Sequence, residues 1–172
     1  METKNYFMEQ ELEREAWVKL SREFHWTEET LKKCSWEVDW KEVSGNDAMY
    51  WTDSMLETFK NNIDWETLSR SHSVSLLRVE NLEKYKDRWD WKELSGSSVI
   101  QWSLELIDRF INKWDWDTLI HNYELKSLNL LNRGFLEKYR QYIPESELKN
   151  SYLWDYLLDE KVRNLVVSDI AS

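Results

Sequence analysis

The feature that most constrains this chain is an aspartate–tryptophan motif that recurs at nearly constant spacing. The tryptophan of the motif stands at Trp40, Trp65, Trp91 and Trp116, so that successive copies are 25, 26 and 25 residues apart. A period of this length is typical of one supersecondary unit stacked on copies of itself. The motif therefore predicts a repeat architecture, and it carries no activity by itself.

Each copy of the motif follows a stretch with apolar residues at helical spacing. In the first copy these are Trp26, Leu31, Cys34 and Val38, a spacing that places them on one face of a helix. Hydroxyl residues at the start of these stretches, and the aspartates of the motif, are typical of helix N-caps. The predicted N-caps are Thr27, Thr52, Ser103, Asp39, Asp64, Asp90 and Asp115. Each unit is therefore predicted to be a helix, a turn, a short helix and a turn.

The two ends of the chain carry degenerate copies of the unit. Residues 131–148 keep the apolar spacing but have Pro144 and Glu145 in place of the motif, and residues 17–21, after a helix from about Glu9, match its second half. Atypical terminal repeats are expected to cover the ends of a stacked core. We predict an all-α, α-solenoid-like stack of about five 25-residue repeats in one domain, 1–172, with an N-terminal cap at 1–25, repeats at 26–149 and a C-terminal cap at 150–172.

The units resemble the WDWxxLS and IDWxxLS repeats that occur in many proteins of bacteria, phages and large DNA viruses. The resemblance covers roughly Trp26 to Leu148 and rests on segments such as Ile63-Asp64-Trp65-Glu66-Thr67-Leu68-Ser69 and Trp89-Asp90-Trp91-Lys92-Glu93-Leu94-Ser95. It implies helical repeats, and it implies no catalytic residues.

The charge balance limits the partners that such a chain can bind. Asp and Glu number 33 against 23 Lys and Arg, for a formal net charge of −10. This excess repels phosphate backbones, which disfavours direct nucleic-acid binding, and it favours a basic protein partner. No apolar run reaches the ~18 residues of a membrane helix, and we find no signal peptide. The single cysteine fits a reducing compartment, so a cytoplasmic protein without a membrane partner is predicted.

Residues that could perform catalysis or hold a metal are scattered. His25, His72 and His121 share no repeat position and no metal-binding spacing, whereas zinc needs about four converging ligands. His121 directly follows a short helix, at a repeat position that we expect to be exposed to solvent. Cys34 occupies a position that is aromatic in the other units, which predicts a buried, inert thiol. Helix capping accounts for the recurrence of the motif aspartates without a catalytic or metal-binding role. We therefore predict no catalytic residue, no metal site and no cofactor.

Five residues are candidates for binding a partner. Trp36 falls where the other units have Asn61, Asp87 and Asn112, so we expect it to be exposed and able to act as a contact residue. The other four are carboxylates outside the capping positions, on the outer side of the short helices, where they either bind a basic partner or merely solvate the surface. They are Glu42, Glu66, Glu93 and Asp117. A second acidic group near the start comprises Glu9, Glu11, Glu13 and Glu15.

These patterns predict a non-catalytic protein-binding module. In a sharper form, motivated by charge and by the resemblance, the protein is an acidic, phage-type inhibitor that mimics nucleic acid in the channel of a bacterial defence nuclease, in the manner of an anti-CRISPR protein. One alternative is a structural or adaptor domain that assembles with copies of itself or docks on a larger protein. A further alternative is a small-ligand binder or enzyme with a groove lined by His121, Tyr123 and Trp36.

Overall fold

The computed structural model describes residues 2–170, and within this range the chain is helical with no strand. A helix of 22 residues, α1 (Glu2–Glu23), opens the fold, and α13 (Tyr152–Leu165) closes it, continued by a π-helical turn (Val166–Ile170). Five units lie between them, each with a longer helix followed by a short helix. The longer helices are α2 (Glu28–Lys33), α4 (Asp53–Phe59), α6 (Val79–Lys84), α8 (Leu104–Arg109) and α11 (Arg133–Tyr139). The short helices are α3 (Trp40–Ser44), α5 (Trp65–Ser69), α7 (Trp91–Ser95), α9 (Trp116–Ile120) and α12 (Glu145–Leu148).

The predicted N-caps are confirmed. The side chains of Thr27, Thr52 and Ser103 accept hydrogen bonds from backbone N–H groups in the first turns of α2, α4 and α8. The aspartates of all four motif copies do the same for α3, α5, α7 and α9. Because a helix of five residues has few internal hydrogen bonds, these caps satisfy groups that would otherwise have no partner.

The short helices form a ladder along the molecule. Contacts run from α1 to α3 and then through α5, α7 and α9 to α12. A serine near the end of α1, and the serines that end α3, α5 and α7, make a recurrent bond between rungs. Each hydroxyl donates to the carbonyl of the tryptophan four residues earlier and accepts from the N–H of the aspartate of the next unit, at 2.9–3.0 Å. The pairs are Ser21–Asp39, Ser44–Asp64, Ser69–Asp90 and Ser95–Asp115.

Aromatic contacts between neighbouring units build the core. The motif tryptophan of one unit packs against an aromatic ring at the C-terminal end of the longer helix of the next unit, with ring centroids 5.0–5.2 Å apart. These pairs are Trp40–Phe59, Trp65–Tyr85, Trp91–Phe110 and Trp116–Tyr139. Each of these tryptophans therefore contacts a ring of the next unit, and rings in such contact add about 0.5–1.5 kcal/mol beyond the area that they bury.

Gly45 and Gly96 follow α3 and α7, where the sequence alone would suggest a left-handed C-terminal cap, and neither adopts one. Their φ angles are −94° and −88°. Glycine is favoured here because a larger residue would be crowded: a Cβ on Gly45 would lie 3.0 Å from the Thr67 side chain of the next unit. At Gly96 the corresponding distance to Thr118 is 3.4 Å. Glycine at these positions allows close approach between rungs of the ladder.

Three further expectations are corrected. Cys34 is half-buried rather than buried, since its small side chain fills less of the space that aromatic rings occupy in the other units. His121 is half-buried rather than solvent-exposed, because its Nδ1 lies 2.8 Å from the backbone oxygen of Asp117. The first helix begins at Glu2 rather than near Glu9.

One helix was not predicted. It is α10 (Tyr123–Ser127), which is inserted between units 4 and 5 and packs against α13. No described helix is both long enough and apolar enough to cross a membrane.

Candidate functional site

Trp36 lies in the turn between α2 and α3, and 96% of its surface is exposed. Its predicted exposure is therefore confirmed. The equivalent residues of the next two units connect neighbouring units: Asn61 accepts a hydrogen bond from Arg88 at 2.9 Å, and Asp87 forms an ion pair with Lys113 at 2.8 Å. Trp36 makes no such connection among the described residues. An indole left wholly in water forgoes the stabilisation that burial would bring, about 25 cal/mol per Å² of apolar surface.

Residues that directly follow Trp36 in the chain line one side of a shallow groove. The groove is formed between α1 and the segment that follows Trp36, and Glu13 and Glu37 contribute to its walls. Neither carboxylate has a hydrogen bond or ion pair among the described side chains. Tyr6, an exposed ring held by a 2.9 Å hydrogen bond from Gln10, extends the same side of α1. We call this set the N-terminal surface: Trp36, Glu37, Glu13, Gln10 and Tyr6.

The four predicted carboxylates lie along the ladder of short helices, and each one has a basic partner. Glu42 is paired with Arg22 at 2.7 Å. Arg70 bridges two of them, Glu66 at 2.7 Å and Glu93 at 3.0 Å. Asp117 lies 3.3 Å from His121, which is a charged partner only when the histidine is protonated. The ladder therefore presents much less uncompensated negative charge than the sequence suggests.

These ion pairs also shift the pKa values of Glu42 and Arg70. The hydrogen bond from Arg22 lowers the pKa of the Glu42 carboxyl, because it stabilises the charged form. The hydrogen bonds that Arg70 donates to Glu93 and Glu66 raise the pKa of its guanidinium above the ordinary value. Glu42 and Arg70 are therefore charged at neutral pH.

The rungs of the ladder alternate between two kinds of contact. One kind joins an arginine of one rung to a glutamate of the next, and the other places a glycine against a threonine. In chain order the contacts are Arg22–Glu42, Gly45–Thr67, Arg70–Glu93 and Gly96–Thr118. Like contacts recur every second unit, so the structural period of this face is the 51 residues from Trp40 to Trp91. A partner bound to this face would contact ion pairs and small residues alternately.

The groove proposed for His121, Tyr123 and Trp36 does not form. Trp36 lies next to α3, whereas His121 follows α9 and Tyr123 begins α10. Between α3 and α9 the ladder contains α5 and α7. The structure therefore separates Trp36 from the two other residues.

The motif aspartates are directed at backbone amides. The N–H of Thr67 donates a 2.8 Å hydrogen bond to Asp64 and is the main cause of the lowered pKa of that carboxyl. Within residues 2–170, no three histidine, cysteine or acidic side chains converge in a way that could hold a metal ion. Capping is therefore sufficient to explain these carboxylates.

Comparison with known proteins adds no relative. No family model, curated protein or solved structure matches the chain significantly. The resemblance to the WDWxxLS repeats stays a prediction.

Proposed function

We propose that the protein is a non-catalytic protein-binding module, an α-solenoid-like repeat whose N-terminal surface contacts the partner. The observation that carries this proposal is Trp36, which is 96% exposed in a chain where the motif tryptophans pack into the core. Tryptophan is among the residues that contribute most to binding when a pocket of the partner encloses it.

The chemistry of the N-terminal surface defines the partner. Trp36 requires an apolar pocket, and the unpaired carboxylates of Glu13 and Glu37 require positive charge at the rim of that pocket. A folded protein with an apolar pocket and a basic border meets both requirements. Nucleic acid does not, because its phosphates would face these carboxylates.

The inhibitor hypothesis is best placed on the same end of the molecule. Three of the four ladder carboxylates are ion-paired, whereas Glu9, Glu13 and Glu15 on α1 have no ion pair among the described residues. We propose that, if the partner is a bacterial defence nuclease, these three residues occupy positions in its basic channel that phosphates otherwise fill.

A second candidate function, an adaptor that assembles with copies of itself, is favoured by a different observation. The last helix and the π-helical turn that continues it expose apolar side chains four residues apart, and no described element covers them. They are Leu158, Val162, Val166 and Ile170. Exposed stripes of this kind are typical of protein interfaces.

The test begins with capture of partners by the wild-type protein from lysate of the native cell, compared with two variants. Trp36→Ala removes the proposed anchor, and Tyr50→Ala removes a ring that is 64% exposed in the turn before α4 and serves as the control. Proteins lost only with Trp36→Ala are then purified and titrated. We expect Trp36→Ala to weaken binding by about tenfold or more, and Tyr50→Ala to leave it unchanged. Equal affinity for the wild type and Trp36→Ala would refute the proposal.

The inhibitor form has its own test. Nucleic acid should compete for the captured partner, and the affinity should fall steeply between low and high salt. The triple variant Glu9→Gln, Glu13→Gln and Glu15→Gln should reduce that salt dependence. A partner that binds nucleic acid and this protein at the same time would exclude mimicry while leaving the binding module intact.

A further inference from the structure

The inserted helix α10 is a feature that the repeat does not require. Between Trp116 and Glu145 the chain needs 29 residues, compared with 25 or 26 in the other units. Asn122, which is buried, caps the helix through its oxygen and donates from its amide to the carbonyls of Ser95 and Ser97 at 2.8 and 3.1 Å. Insertions in repeat proteins often build the binding face.

A cavity of about 350 Å³ lies between α10 and α13. Its side-chain chemistry combines three phenol rings, two carboxylates and one ammonium. The residues that carry these groups are Tyr123, Lys126, Tyr152, Asp155, Tyr156 and Asp159. The volume suits one long side chain or a small organic ion.

The wall formed by Tyr152 already holds a cation. The ammonium of Lys126 lies 4.4 Å from the centre of the Tyr152 ring. Tyr123 meets the same ring edge-on, with centroids 6.2 Å apart and an interplanar angle of 76°. An aromatic face attracts a cation through its quadrupole by about 0.5–2 kcal/mol, depending on how well the cation is desolvated.

The carboxylates of the cavity have no partner, in contrast to most of those along the ladder. Asp155 and Asp159 are exposed, one helical turn apart on α13, and neither forms an ion pair or a side-chain hydrogen bond with any described residue. Like charges at this spacing destabilise a helix. Lys126 is the one basic residue among those that line the cavity, so the lining keeps a net negative charge.

We propose that the α10–α13 cavity binds a cationic side chain, the guanidinium of an arginine or the ammonium of a lysine, presented by a partner protein. The cation lies against the rings of Tyr152 and Tyr156, and Asp155 and Asp159 accept its hydrogen bonds. The guest takes the place of the Lys126 ammonium over Tyr152. This site is separate from the N-terminal surface and does not depend on it.

The test is a titration of the isotope-labelled full chain, followed by backbone amide shifts in NMR. The probes are N-acetyl-arginine amide and N-acetyl-lysine amide, with the uncharged isostere N-acetyl-citrulline amide as a control. We expect saturable shifts confined to α10 and α13 with one or both cationic probes and none with citrulline. Saturation with arginine alone assigns the site to guanidinium, and saturation with both assigns it to positive charge in general.

Two variants make the test specific. Asp155→Asn with Asp159→Asn should weaken binding about tenfold, whereas Asp47→Asn with Glu145→Gln changes the net charge equally and should have no effect. Lys126→Met removes the competing ammonium and should strengthen binding. The proposal is overturned by shifts that do not saturate, by shifts that spread over the acidic surface, by equal binding of citrulline, or by unchanged affinity in both cavity variants.

Discussion

The hydroxyl of Ser69 accepts a hydrogen bond from the backbone N–H of Asp90 at 2.9 Å and so joins the end of α5 to the start of α7. The same bond occurs at three other junctions between rungs. At the last junction Ile120 takes the place of the serine and Pro144 the place of the aspartate. Since proline has no N–H, the donor and the acceptor are lost together and no buried amide is left without a partner.

Replacement of Ser69 by alanine should lower the free energy of unfolding by about 1–3 kcal/mol, because the partly buried N–H of Asp90 would lose its acceptor. Thermal or denaturant melts measure this change. Ser98→Ala is the matched control, since Ser98 is exposed, and it should shift stability by no more than about 0.5 kcal/mol. Equal effects of the two substitutions would show that the bond between rungs contributes nothing.

Replacement of Trp65 by alanine should cost about 3–5 kcal/mol, because removal of a large buried ring leaves a cavity. Trp65 is 9% exposed and contacts Tyr85 and Trp89 of the next unit at centroid distances of 5.0 and 4.8 Å. Trp36→Ala is the control and should change stability by about 0.5 kcal/mol or less. If denaturant melts ranked Trp36 above Trp65, the division between core and surface tryptophans would be wrong.

Replacement of Asp90 by alanine should lower stability by about 0.5–2 kcal/mol, because its side chain caps α7 by accepting from the amides of Lys92 and Glu93. Asp90→Asn keeps an acceptor and should retain most of that stability. The melting temperature of the wild type should not respond to calcium, zinc or a chelator. A metal-dependent melting temperature that Asp90→Ala abolishes would contradict the capping account.

Glu57 should stabilise the fold at neutral pH and lose this effect in acid. Hydrogen bonds from Lys60, Lys84 and Tyr85 lower the pKa of its carboxyl from 4.5 to about 2. Because the pKa is lower in the folded state than in the unfolded state, the stabilisation is complete above 4.5 and disappears as the pH falls towards 2. Glu57→Gln should therefore melt below the wild type at pH 7, and the difference should close across that window.

The control for the acid prediction is Asp47→Asn, which removes an exposed loop carboxylate that has no ion pair among the described residues. Its melting temperature relative to the wild type should vary little between pH 7 and pH 2. A constant difference for Glu57→Gln over the same range would mean that the bonds of Glu57 with Lys60 and Lys84 contribute nothing to folding.

Local chemistry explains why much of the helical pattern could be predicted. An aspartate that precedes Trp91, or a threonine that precedes α4, caps the amides of the residues that immediately follow it, so the sequence contains both partners of the interaction. The exposure of Trp36 could be predicted for a related reason, because the equivalent positions in the other units are polar. Comparison of equivalent positions in the repeats thus indicates which side chains are exposed, which otherwise requires the tertiary structure.

Contacts between units could not be predicted in this way. Gly45 resembles a left-handed cap in sequence, but it is required by the Thr67 side chain of the next unit. Glu66 and Glu93 resemble free surface charges, but Arg70 brings them together. The cavity between α10 and α13 depends on residues of two elements that are far apart in sequence. By itself the sequence determined the helices of the repeated units, their caps and their period, because these depend on neighbours along the chain. Only the tertiary structure decided which charges are paired and which surfaces remain open, because those depend on how one unit stacks on the next.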